Sequence, residues 1–177
     1  MTSIALHTIK DQRIALLLIS AGLFAIAILI AATFEAFGEV QGELFESLPE
    51  GFKALLKAQG GLSSSATGYL ATGYRHPVYL VALLAFTIAA SAGAMAREID
   101  RGTVFLLLAR PMARHTLVIA KSGAMAAGLM GLIVISFLGS WSGVMIYGLD
   151  EADLGGLSLV QINAALLVLA VGGYSFL

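Results

Sequence analysis

The chain contains no cysteine, which excludes disulfides, thiolate metal ligands and a cysteine nucleophile. Charge is scarce: 12% of the 177 residues are Asp, Glu, Lys or Arg, where a soluble domain carries about a quarter. The 10 basic and 11 acidic residues leave a net charge of -1, so no positive field exists for a phosphate backbone and nucleic acid is not expected as a partner. No Gly-Lys dipeptide occurs, and with it goes the phosphate-cradling loop of an ATPase. No serine sits in a Gly-x-Ser-x-Gly context, which leaves hydrolase chemistry unsupported. His7, His76 and His115 are far apart and lack a second ligand at helical spacing, so neither a metal nor any other cofactor is expected. Segments of about ten residues with alternating polarity are missing too, which argues against an outer-membrane barrel.

What remains is apolar. Hydrophobic residues make up 59% of the chain, and the mean hydropathy is +0.92. Residues 14–34, 78–96 and 157–177 contain no charge, and residues 117–147 contain only Lys121. A helix over 14–34 measures ~31 Å, which matches a hydrocarbon core of ~30 Å. The run is longer than the apolar core of a cleavable leader, so a retained anchor is expected. Pro77 suits the first turn of the second span, where its missing N–H is no loss. The third run, ~46 Å as a helix, should tilt or project, with Lys121 snorkelling toward headgroups. The expected fold is an all-α integral membrane protein, a polytopic bundle of four transmembrane helices plus short interfacial helices, in one domain over 1–177.

Basic residues set the orientation, because cytoplasmic loops retain them. Lys10 and Arg13 precede the first span, and Arg97, Arg101, Arg110, Arg114 and Lys121 lie in or beside the second loop. On the other side are only Lys53, Lys57 and Arg75, together with Glu35, Glu39, Glu43, Glu46, Glu50, Asp150, Glu151 and Asp153. The amino terminus and residues 97–116 are therefore expected in the cytoplasm. The last run stops at Leu177 without a basic anchor, and the chain is expected to be the front portion of a longer protein.

In the first loop, residues 35–76, an amphipathic helix is predicted over 48–57, with Phe52, Leu55 and Leu56 on one face and Lys53 and Lys57 opposite. Rest on the membrane surface is favoured over a substrate-facing lid. Gly60, Gly61 and Ser63 to Ser65 read as flexible, and Tyr69 and Tyr74 suit an interfacial aromatic belt. Within the spans, Ala85-Ala89-Gly93, Gly123-Ala127-Gly131 and Gly139-Gly143 recur every four residues, and contacts inside one bundle are favoured over a dimer interface. Ser20, Thr87, Ser91, Ser136, Ser140, Gln161 and Asn163 are the polar groups at depth, explained as well by helix-to-helix hydrogen bonds as by a substrate path.

The second loop holds five consecutive apolar residues, Val104 to Leu108, ahead of Pro111, which disfavours helical geometry at Arg110. A helix of that size cannot span and is too apolar for water, so it must lie on the membrane or dock into a partner. Its flanking arginines fit lipid headgroups and partner carboxylates equally well. The run Arg97-Glu98-Ile99-Asp100-Arg101-Gly102-Thr103, then Leu106-Leu107-Leu108-Ala109-Arg110-Pro111, Arg114 and Lys121, resembles the cytoplasmic loop of type 2 ATP-binding-cassette (ABC-2 type) exporter permeases. Leu48-Pro49, Gly68-Tyr69, the apolar helix before Ala96 and the basic amino-terminal segment look like that family as well, so the likeness runs along the whole chain.

The resemblance implies a non-enzymatic permease subunit of the cytoplasmic membrane, paired with a second permease copy or homologue and with a separate ATP-binding cassette ATPase. Residues 97–116 would be its coupling loop. Leu106, Leu107 and Leu108 would be the contact buried in a cleft of the ATPase, oriented by Glu98, Arg101, Arg110 and Arg114. Gly102, Thr103 and Pro111 would shape its ends, and residues 3–10 would form a connecting helix along the inner surface. The family has six spans where four are read here. The competing reading is a membrane anchor or assembly scaffold that moves nothing and binds no ATPase.

Overall fold

The computed structural model describes residues 2–58, 65–100, 102 and 114–174. These form six helices: α1 Thr2–Glu46, α2 Glu50–Ala58, α3 Ala66–Arg75, α4 Pro77–Asp100, α5 Arg114–Tyr147 and α6 Leu154–Tyr174. There is no strand among the described residues. Three helical segments are long and apolar enough to cross a membrane: Lys10–Gly38, Val118–Tyr147 and Leu154–Tyr174. A fourth crossing requires α3 and α4 to act together, as a span bent by 42° at their junction. The expected four spans thus stand as three, or four if that broken pair is one of them.

The bend has a local cause. Ser65 caps the start of α3, its hydroxyl accepting from the Gly68 N–H at 3.1 Å. His76 then closes α3, donating its N–H to the Gly73 carbonyl at 3.2 Å, while its own carbonyl accepts from Tyr79 at 3.0 Å to open α4. Pro77 takes the first position of α4 and cannot extend the hydrogen bonding of α3. At the other turn, Gly148 adopts φ +63, and the Leu149 N–H reaches back to the Val144 carbonyl at 3.0 Å. This is the left-handed glycine stop of a helix, and it ends α5. Asp153 starts α6 by accepting the Gly155 N–H at 2.9 Å.

Helix α1 departs from the expected layout. It runs without a break through 45 residues, so residues 3–10 are continuous with the first span, not a separate helix on the inner surface, and the span's helix continues well beyond residue 34. Glutamate and glutamine past that point lower the hydropathy without ending the helix, because both are good helix formers. The predicted helix over 48–57 is present as α2, with Phe52 and Leu55 exposed. Lys53 ties it back to α1, its ammonium 3.2 Å from Glu46 and 3.1 Å from Glu50.

α1 and α5 form the main pair of the bundle. Leu16, Ala27 and Ala31 of α1 meet Gly128, Gly139 and Gly143 of α5 in the same order, so the two helices run parallel. A Cβ built on Gly139 would lie 3.0 Å from the Ala27 Cβ and 3.0 Å from the Phe24 carbonyl oxygen. One built on Gly143 would lie 2.6 Å from the Ala31 Cβ. Small residues on both partners let the backbones approach this closely. The other glycine stripe behaves differently: nothing lies within 4 Å of a Cβ at Gly123 or Gly131, so this face points out of the bundle and the contact inside one bundle expected for it is not made. Ala85 and Ala89 are likewise exposed.

Helices α4 and α6 run against α5. Phe86 packs over Gly128, Gln161 lies beside Ser136, and Gly172 sits against Met125 and Thr87. The core comprises Leu23, Leu83, Phe86, Leu129, Leu132 and Val168 with their neighbours. Outward-facing residues are also apolar, among them Leu17, Leu29, Val81, Ile146, Leu159 and Leu166. In water such a surface would aggregate; a lipid-facing bundle requires it.

Candidate functional site

The packing order sorts the bundle into two ends. The start of α1, the end of α4 and the start of α5 lie at one end, so Lys10 and Arg13 share it with Asp100 and Arg114. Gly102 has φ +67, and its N–H donates to the Ile99 carbonyl at 2.9 Å. A side chain is strained in that backbone region, so glycine is required where the chain turns off the end of α4.

Of the residues expected to contact an ATPase, Gly102 is therefore at a turn, Glu98 lies in the last turns of α4, and Arg114 opens α5. Arg101, Thr103, Leu106, Leu107, Leu108, Arg110 and Pro111 lie outside the described residues. Just inside this end, Lys121 is 5% exposed and Gln12 6%. Lys121 is thus held within the bundle; it does not snorkel outward as expected, since α1 and α5 pack closely along its length.

The opposite end is knit by polar contacts. The Thr67 hydroxyl accepts from the Asp153 N–H at 2.8 Å, tying α3 to the start of α6. The Tyr69 and Thr33 hydroxyls are 3.1 Å apart, and the Tyr69 ring stands edge-on to Phe34 with centroids 5.3 Å apart. Glu50 and Glu46, by hydrogen bonding, hold the Lys53 ammonium above the usual lysine range.

Deeper in the bundle Ser136, Ser140 and Gln161, expected as polar groups at depth, form a cluster with Tyr74. The Tyr74 and Ser140 hydroxyls are hydrogen-bonded, and Gln161 donates from Nε2 to the Ser136 Oγ at 3.1 Å. Tyr74 is 3% exposed and faces α5, which corrects its expected place in an interfacial belt. Thr87 and Ser91 instead bond carbonyls of their own helix, Leu83 and Leu84, and Thr87 and Ile88. They line no path. Asn163 is exposed, and Ser20 is half-buried.

A bundle with apolar faces inside and out, several helices of spanning length and charges gathered at its ends defines a multi-pass α-helical membrane protein. The family model for ABC-2 family transporter proteins matches residues 3–176, and the chain belongs to that family. No curated protein and no solved structure matches it. As a membrane component of this transporter family the chain is a permease, and the resemblance read from its second loop is borne out.

Proposed function

We propose that this permease moves a substrate across the cytoplasmic membrane using ATP hydrolysed by a separate nucleotide-binding subunit, and that residues 97–116 are the segment that subunit grips. The family match over residues 3–176 carries the reading. Three features support it. The basic amino-terminal residues share one end of the bundle with the end of α4 and the start of α5, as a cytoplasmic face requires. Gly102 turns the chain off α4 just ahead of Val104 to Leu108, an apolar run too short to span. No phosphate-binding loop occurs in these 177 residues, which accords with an energy source on a separate subunit.

On this reading the leucines at 106, 107 and 108 fill a cleft on the ATPase, and Glu98, Arg101, Arg110 and Arg114 set the angle at which they enter. Thr103 and Pro111 bound the inserted segment. Two copies, or one copy and a homologue, enclose the pathway, and this chain performs no covalent chemistry.

The test is Leu107→Asp with Leu108→Asp in the full-length protein, expressed with its ATPase. Burying two carboxylates in an apolar cleft costs several kcal/mol, on the order of a thousandfold in affinity. Loss of ATPase co-purification, or ATPase activity that no longer drives transport, is expected. Unchanged association and transport would remove the coupling role, whereas a wild-type chain that binds no ATPase and moves nothing would favour the anchor reading. Side is tested separately: these 177 residues hold no cysteine, so Thr103→Cys adds a thiol to be read in a background cleared of any other. That thiol should react with a membrane-impermeant maleimide only after cells are opened.

A further inference from the structure

Where the bent α3–α4 pair meets α5, hydroxyls from both sides converge on a pocket otherwise walled by hydrocarbon. Tyr74, Tyr79, Ser136 and Ser140 line it, opposite Leu23, Ile30 and Leu70. Tyr74 and Ser140 satisfy one another, and Ser136 accepts from Gln161. Tyr79 is left over. Its hydroxyl is fully enclosed yet has no hydrogen-bond partner among the described residues. Ser136 lies beside it without the geometry of a direct bond. The Tyr79 ring cannot swing away, because it stands edge-on to the Tyr74 ring with centroids 5.2 Å apart at 68°, and Tyr79 is 3% exposed.

A buried hydroxyl is with few exceptions paired, either with protein or with an ordered water. The pocket's free volume, ≈ 10 Å³ as swept by the centre of a water-sized sphere, is at the threshold of ~10–15 Å³ that admits one water. Larger solutes do not fit. A cation would lack any carboxylate among the lining residues to balance its charge.

We propose that this pocket is a hydration site within the bundle: one water accepts from the Tyr79 hydroxyl and donates to Ser136 Oγ and to the Tyr74–Ser140 hydroxyl pair. The site has the two to four polar partners that a buried water needs. It joins the bent pair to α5 through an exchangeable molecule, where a direct side-chain bond would be fixed. The inference does not depend on the transport reading.

Two measurements on the full chain in lipid nanodiscs test it. X-ray radiolysis activates bound water in place, so Tyr79 and Tyr74 should be oxidised about tenfold faster than Phe86, a buried ring that does not line the pocket, with label drawn from bulk H₂¹⁸O. Tyr79→Phe should lower the unfolding midpoint, since it removes the donor and leaves the water short of a partner. A dry, orphaned hydroxyl predicts the reverse: Phe would relieve a buried unpaired group and raise the midpoint. Labelling of Tyr79 no faster than Phe86, or a midpoint that is unchanged or raised in Tyr79→Phe, overturns the proposal.

Discussion

Replacing Gly139 with alanine adds one methyl group to the seam between α1 and α5. The new Cβ would sit 3.0 Å from the Phe24 carbonyl oxygen and 3.1 Å from the Phe24 Cα, which are backbone atoms that no rotamer change can move. Carbon pairs are comfortable at ~3.5–4.0 Å, so α1 must retreat by about 0.5–1 Å. A gap of that size forfeits about a quarter to a half of each dispersion contact along the seam, and overpacking a tight core costs about 1–3 kcal/mol. Gly143→Ala should behave alike, its Cβ 2.6 Å from the Ala31 Cβ. Gly123→Ala and Gly131→Ala provide the comparison. Nothing lies within 4 Å of either position, and alanine raises helix propensity by up to ~1 kcal/mol, so both should be neutral or stabilising. Thermal unfolding of the four variants in one detergent decides the matter. If Gly139→Ala and Gly143→Ala prove as stable as Gly131→Ala, the α1–α5 seam is not as close as described and the parallel pairing built on it is wrong.

Other expectations follow from single contacts. Asp153→Ala removes the cap of α6 and should cost about 0.5–2 kcal/mol, read as a lowered unfolding midpoint. Tyr74→Phe strands the Ser140 hydroxyl and should destabilise by about 1–3 kcal/mol, whereas Tyr74→Phe combined with Ser140→Ala should recover part of the loss in a double-mutant cycle. The Lys53 bridge between α1 and α2 has a raised lysine pKa in the folded state. Its stabilisation is therefore fully present below the ordinary lysine range and lost as pH rises through the folded value. Protease nicking after α2 should accelerate only at strongly alkaline pH, and the acceleration should be absent in Lys53→Gln.

Hydropathy located long apolar helices, although the helices fit to cross number three, or four if the bent α3–α4 pair is one of them. Residues 117–147 and 157–177 correspond to Arg114–Tyr147 and Leu154–Tyr174, and 78–96 lies inside Pro77–Asp100. It failed on α1 because a fall in hydropathy and the end of a helix are different events: Glu35, Glu39 and Glu43 bring the first and promote the opposite of the second. α3 was missed because its Thr, Gly and Tyr content reads as a loop, although Ser65 and Pro77 bracket it with visible stop and start signals. Spacing identified the small-residue stripes but could not assign their neighbours. Gly139 and Gly143 found α1, while Gly123 and Gly131 found nothing. The tyrosine–serine cluster depends on residues 66 positions apart in the chain, a pairing no local pattern encodes. The charges and leucines of the second loop suit lipid and protein equally, so its role rests on family resemblance alone.

The uninterrupted course of α1 has a mechanical corollary. Its 45 residues amount to a rod of ~67 Å, more than twice the hydrocarbon it crosses. A rod pivoted at one tip moves the other by about 1 Å for every degree of inclination. With α2 tied to its far end by Lys53, a small rocking at the basic tip would swing that amphipathic helix at the opposite end of the bundle, since α1 has no break along its length to absorb the stroke.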